Sequence, residues 1–415
     1  MSVTLPSELI DAIIDQVALL DTTTLHSCAL TSRAFVFPSQ KHIFHTIDLD
    51  VRRPRAVHYL RFHRLLQSKP HLGAHVRRLR LVDDSKEDFA HGFSWMTHPR
   101  TPISRTLGFL SNLRSFELSF NSTGEKWSAV PEETRVGFGR VFAMESVREV
   151  ALECVSGFPV ALLSSLARLK YLALSNVTID SDEGSERMDV SNSVTLEGLY
   201  LRGVSPEIIK ILAKALSAPD TPPTLRKLAL TPTFEEGFAE AVAKLIVTCG
   251  SHLTSFAWLP SIHFPSYIGP INISSLHSLR SLHFIVSFRK LSSQKPFAPT
   301  LALLLQISNR PNLIERITVE CHCIMPRRGE GEKKLAKTWR PLDTVLSAEE
   351  GAIFRNLKEV EIVLSVNTIL PTEIHRVVTN RGELLPRVEA RGVVLTVRVD
   401  SCSQDSGFLE RLREM

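Results

Sequence analysis

Cysteine, histidine and carboxylate side chains are where this sequence could carry chemistry. Cys321-His322-Cys323 places three metal-ligating groups in a row. Tetrahedral zinc takes four ligands, usually as two separated pairs with two or more residues inside each pair. A single tight triplet with no second pair instead reads as core or edge cysteines at the end of a strand. There is no glycine-rich phosphate loop, no Gly-x-Ser-x-Gly elbow and no His-Glu-x-x-His helix. His26, His42 and His45 fall in short helical segments, which suits a structural or solvent role better than catalysis. Nothing pairs a nucleophile with a base, so the chain is expected to be non-catalytic, with no cofactor and no metal.

Charge offers a second route to function. Residues 41–80 hold ten Lys or Arg side chains and six histidines. Nucleic-acid binding needs exposed aromatic rings among such charges. Tyr59 and Phe62 are available, but Leu60, Leu65 and Leu66 beside them imply that both rings pack inward. The leading reading is a solvated helix face, ahead of an acidic protein partner and of nucleic acid. Arg327-Arg328 and Lys333-Lys334 flank a Gly-Glu-Gly-Glu run, which fits a charged loop better than a nuclear-import signal.

The 415 residues are 43% hydrophobic and 22% charged, the balance of a globular protein, with a net charge of +5. Glu8, Asp11 and Asp15 stand where an export signal would need basic residues. No stretch reaches the ~20 apolar residues of a membrane span. Six scattered cysteines suggest reduced thiols. A cytoplasmic or nuclear location, with no membrane partner, is therefore expected.

What must position any binding residue is a repeat. The pattern apolar-x-x-apolar-x-apolar occurs ten times, starting at Val76, Leu113, Val147, Leu169, Leu196, Leu225, Leu253, Leu279, Ile314 and Leu357. A further strand is expected near Val393. The last apolar positions alternate with variable ones, the mark of a strand with one buried face. Between copies, helical spacing is found over Phe158–Ala167, Pro206–Ser217, Phe234–Cys249 and Thr300–Ser308. One strand and one helix per unit gives parallel strands lined by helices, each unit burying its apolar face against its neighbours. The central copies start 22 to 29 residues apart, close to the period of leucine-rich repeats. That family usually has Asn three residues after the last leucine; here Val155, Val177 and Val204 stand there, so an irregular solenoid without an asparagine ladder is expected. Loops are expected at Ser85–Pro102, Asn121–Pro131, Asp180–Ser193, Lys290–Pro299 and Cys323–Pro341. The solenoid is assigned residues 75–400, after a linker helix at 51–74 and before a helical tail at 401–415.

The first 50 residues read as three short helices. Pro6 fits a first turn, and Leu9, Ile10, Ile13, Ile14 and Val17 form an apolar stripe. Asp21 can cap a second helix, Thr31 or Ser32 a third, and Pro38 is expected to break or kink it. These helices either cap the solenoid or offer apolar side chains to a partner. The segments LPSELIDAIIDQV, CALTSRAF and IFHTIDL resemble an F-box, the module that binds the Skp-type adaptor of cullin-based ubiquitin ligases, and are similar to F-box proteins of mushroom-forming fungi. The resemblance implies that Leu5, Pro6, Glu8, Ile10, Ile13, Leu25, Cys28, Leu30 and Phe35 contact the adaptor. Phe35 stands where many members have Trp.

The expected architecture is α/β, a three-helix F-box followed by an irregular leucine-rich-repeat-like solenoid. Strand residues facing away from the leucines form a binding array, with Tyr171, Tyr200, Arg202, Lys227 and His283 as candidates for holding a protein target. The resemblance implies a substrate-recognition subunit of a Skp–cullin–F-box ligase. A scaffold outside any ligase and a nucleic-acid-binding solenoid are the alternatives.

Overall fold

The structure, a computed structural model, describes residues 5–50, 57–83, 96, 98, 101–120, 126–164, 169–180, 195–217, 224–233, 235–260, 271–287, 297–307, 312–323, 332–348, 354–366, 384–400 and 408–415. Its contacts cluster into two units, Met1–Lys170 with Asn176–Met188, and Tyr171–Ser175 with Asp189–Met415. Most of the expected loops at Ser85–Pro102, Asp180–Ser193 and Lys290–Pro299 lies outside the described residues, as does the Arg327-Arg328 run, while Ala298 and Pro299 open a helix instead of ending a loop.

The first unit opens with α1 (Ser7–Ala18), α2 (Thr22–Thr31) and α3 (Arg33–Ile43). Asp21 starts α2 by accepting the backbone N–H of Thr24 at 2.7 Å and its hydroxyl at 2.6 Å. Those hydrogen bonds, the hydroxyl's first, hold its carboxyl below the ordinary aspartate range. Ser32 starts α3 by accepting from the N–H of Ala34. Contrary to expectation, α3 runs unbroken through Pro38. Pro38 is buried and α3 packs on both α1 and α2, which offsets the one hydrogen bond that proline removes.

The sheet begins earlier than the repeat count implied. Strand β1 (Thr46–Asp50) pairs in parallel with β2 (Arg78–Val82), so the solenoid starts at Thr46, inside the segment assigned to the helical module. The intervening α4 (Val57–Ser68) belongs to the body rather than to a linker: the Tyr59 hydroxyl and His63 Nδ1 both meet the Thr106 hydroxyl, on α5 (Ile103–Gly108). Then follow β3 (Ser115–Ser119), α6 (Glu132–Ala143), β4 (Glu149–Glu153) and α7 (Val160–Ser164). Strands β2, β3 and β4 pair in parallel, in chain order. Phe116, Trp127, Phe138, Phe142 and Phe158 fill this core, with neighbouring ring centroids 5.1 to 6.1 Å apart.

Three histidines of this unit titrate below the ordinary histidine range. Burial depresses His63, aided by Arg105; burial also depresses His75 and His45, aided by His71 and Arg78 respectively. The unfolded chain therefore binds more protons below the ordinary histidine value of 6.5. Stability is whole above that pH and falls as pH drops beneath it. Thermal melting at about pH 7.5 and about pH 5.5 should show a lower midpoint in acid; an unchanged one would contradict this.

The second unit stacks β5 (Tyr171–Ser175), β6 (Gly198–Arg202), β7 (Lys227–Thr231), β8 (Ser255–Trp258), β9 (Ser281–Ser287), β10 (Arg316–Cys323), β11 (Glu359–Val366) and β12 (Val394–Asp400). All pairs are parallel and in chain order. Each strand from β2 to β11 starts two residues after the first apolar residue of its repeat. The helices are α8 (Pro206–Leu216), α9 (Phe238–Cys249), α10 (Ala298–Ile307), α11 (Glu332–Ser347), α12 (Pro386–Ala390) and α13 (Phe408–Glu414). In α8, Ile208, Ile209, Leu212, Ala213 and Leu216 are buried, as the spacing required. Helix α11 overturns part of the loop expected at Cys323–Pro341. Its buried Trp339 packs on Phe297 with centroids 4.9 Å apart, and buried Asp343 accepts the backbone N–H groups of Arg387 and Val388 at 3.1 Å each.

The missing asparagine ladder has a packing replacement. Val155, Val177 and Val204 are all buried. Each follows a residue with left-handed backbone: Cys154 (φ 55°), Asn176 (φ 52°) and Gly203 (φ 57°). The turn after the strand is thus set by backbone conformation, and the next side chain fills the core. The chain is α/β, with parallel strands in sequential order and helices between them. Among the described residues, no helix is long and apolar enough to cross a membrane.

Candidate functional site

Two surfaces bring together the residues singled out from the sequence. The first belongs to the three opening helices. Leu25 is buried and Ile14 fully so; these two hold the trio together. Leu5, Pro6, Glu8, Ile13 and Leu30 are exposed, and Ile10, Cys28 and Phe35 are half-buried. Leu25 is therefore a core residue rather than a contact for a partner. The sequence reading also missed part of the surface. Leu19, Leu20 and Phe37 are 78%, 77% and 64% exposed and Leu9 is 51% exposed, beside the expected contact Leu30 at 89%. Leu9 and Ile13 are one helical turn apart on α1, so they share a face. Leu19 and Leu20 are adjacent past the end of α1, which no amphipathic pattern would flag. Many large apolar side chains are thus left in water on about 40 residues, the condition under which a surface can serve a partner.

Charge around these helices is modest. His42 Nε2 lies 2.6 Å from Asp15 Oδ1 and ties α3 to α1. The basic segment behind them offers no aromatic platform, because Tyr59 and Phe62 are both buried. That removes the feature on which single-strand stacking depends.

The second surface is the sheet face opposite the repeat leucines. Register aligns its residues in straight rows. One row runs Tyr171, Gly198, Lys227, Ser255, Ser281, Arg316 and Glu359. The next runs Ala173, Tyr200, Ala229, Ala257, His283, Thr318 and Glu361. Much of this array is paired with itself. Arg316 Nε donates to Glu359 at 2.8 Å, the Thr318 hydroxyl donates to Glu361 at 3.3 Å, and Arg398 approaches Glu361 at 3.6 Å. In the first unit Arg80 lies between Asp48, at 3.2 Å, and Glu117, at 3.7 Å.

The five residues proposed to hold a target have unequal access. Arg202 is exposed and Tyr171 half-buried, its ring lying against Gly198, where a Cβ would come within 2.6 Å of it. Tyr200 is only 3% exposed, and burial raises its hydroxyl above the ordinary tyrosine range. His283 Nε2 faces Glu320 at 3.3 Å. Lys227 Nζ donates to the carbonyls of Leu412 at 3.0 Å and Arg413 at 2.6 Å, at the end of α13. Burial holds its ammonium below the ordinary lysine range.

Helix α13 contacts β5, β6 and β7. Its Leu409 and Leu412 are fully buried, and Arg411 lies 3.9 Å from Glu320. The Ser255 hydroxyl donates to the Met415 carbonyl at 3.2 Å. Of the helical tail expected at 401–415, Phe408–Glu414 is described and helical; its seat on the sheet was not foreseen. Cys321 is buried in β10, and no group of three His, Cys, Asp or Glu among the described residues is placed to hold a metal. No protein-family model and no curated protein matches the chain.

Proposed function

We propose that the chain is the substrate-recognition subunit of a Skp–cullin–F-box ubiquitin ligase. The observation that carries this reading is the exposed apolar surface of the opening helices: Leu5, Leu9, Ile13, Leu19, Leu20, Leu30 and Phe37 stay in water while Ile14 and Leu25 already form the trio's core. A module that served only to cap the solenoid would turn its leucines inward. The α/β stack that follows supplies a surface for the target. In this reading the bond-forming groups belong to other subunits. The chain contributes proximity, raising the effective concentration of a target lysine near the ubiquitin carrier.

The test is reconstitution. The purified chain mixed with a Skp-type adaptor should elute as one complex, and adding cullin should enlarge it. Capture of adaptor without cullin would favour a scaffold outside the ligase. No capture of adaptor would end the proposal.

A further inference from the structure

Helix α13 is a short helix seated on the sheet face, and the face is matched to it in both shape and charge. Where it lies, five of the eight positions in the two rows across β5–β8 hold small side chains, Ala173, Gly198, Ala229, Ser255 and Ala257, set among Tyr171, Tyr200 and Lys227. Leu412 sits close enough to Gly198 that an added Cβ would stand 3.7 Å from Leu412 Cδ2. Charged groups frame this floor at two points. Lys227 receives the last carbonyls of the helix, the negative end of its dipole. Glu320, only 7% exposed, faces Arg411. The surface therefore reads one pattern: two leucines three residues apart, a basic residue just before the second, and a helix ending there.

The occupant itself is slight. Seven residues are well below the ~12–15 at which a helix holds in water alone. Among the described contacts, it is held by Leu409 and Leu412, by Arg411 and by its final carbonyls. Helix α13 covers Tyr200 and Lys227, two of the side chains best suited to hold a target.

We propose that the small-residue trough across β5–β8 is a receptor for a short amphipathic helix of Leu-x-Arg-Leu type on a target protein, and that Leu409-Glu410-Arg411-Leu412 occupies it in cis until such a helix displaces it. This rests on reading the sheet face as the target surface, but not on adaptor capture. An attached competitor acts at high effective concentration, so the intact chain responds only to a partner that outcompetes it.

The probe is a fluorescent peptide of residues 401–415. The chain cut after Asp400 should bind it saturably, and the intact chain at least about tenfold more weakly. Lys227→Ala in the cut chain and Leu412→Asp in the peptide should each weaken binding by about tenfold or more. Hydrogen exchange on the intact chain should find the amides of 409–414 opening faster than those of β6. If the cut chain does not fold, intact chain carrying Leu409→Asp and Leu412→Asp replaces it as the open form. A folded open form that ignores the peptide, equal affinity for open and intact chains, or exchange at 409–414 as slow as in β6 would each overturn the proposal. Adaptor capture is measured separately on the same proteins, so failure of the ligase reading and failure of this one leave different records.

Discussion

Leu9→Asp combined with Ile13→Asp should abolish the proposed capture of a Skp-type adaptor and leave thermal stability within about 2 °C. Both side chains are about half exposed and lie on one face of α1, while the trio's own packing rests on Ile14 and Leu25. Removing them costs the isolated chain little. In a complex their exposed halves would be enclosed, each contributing about 0.8–1.5 kcal/mol by burial. A carboxylate there loses that contribution and must also be stripped of water. The combined loss is at least about 3 kcal/mol, more than about 100-fold in affinity. Leu25→Asp supplies the contrast, since it should unfold the trio and lose the adaptor together with helical structure. Full adaptor binding by the Leu9/Ile13 pair, read by calorimetry, would show that this face is not the docking surface.

Phe116→Ala should remove about 3–5 kcal/mol of stability from the first unit. Phe116 is fully buried on β3, with the rings of Phe138 and Phe142 each 5.9 Å away. Those rings are themselves held by Trp127 and Phe158, at 5.7 and 6.1 Å. A cluster braced on all sides cannot collapse into the gap, so the cavity term adds to the lost transfer energy. Denaturant midpoints of the wild type and variant measure this directly. A loss below about 1 kcal/mol would mean that the neighbours close the space.

The strands were legible because a parallel stack imposes one short pattern on every copy. The earliest copy escaped notice for the opposite reason. Phe44-His45-Thr46-Ile47-Asp48-Leu49 fits the pattern and forms β1, but it follows directly on α3 and read as the end of the helical module. Helix α11 was hidden by glycines, charges and Pro341 in a segment that resembles a loop. The surface of the opening helices was only partly legible, since spacing reveals which residues share a face but not which face the partnerless helices leave outside. Leu25 and Leu30 have the same side chain and opposite fates. The trough was the least legible feature. Ala173, Ala229 and Ala257 fall at the variable position of the repeat, where a sequence shows no preference, and their smallness acquires meaning only when register sets them in one row around Tyr200.

The unstaggered register has a metric consequence. Adjacent strands lie about 4.8 Å apart, and a helix rises about 4.5 Å over three residues. A helix laid across such a sheet is thus nearly commensurate with it, meeting a new strand at every third residue. Helix α13 follows this rule: the carbonyls of Leu412 and Arg413 meet Lys227 on β7, and that of Met415 meets Ser255 on β8. The sheet works as a ruler, and a helix one residue out of phase would present the wrong side chain to every graduation.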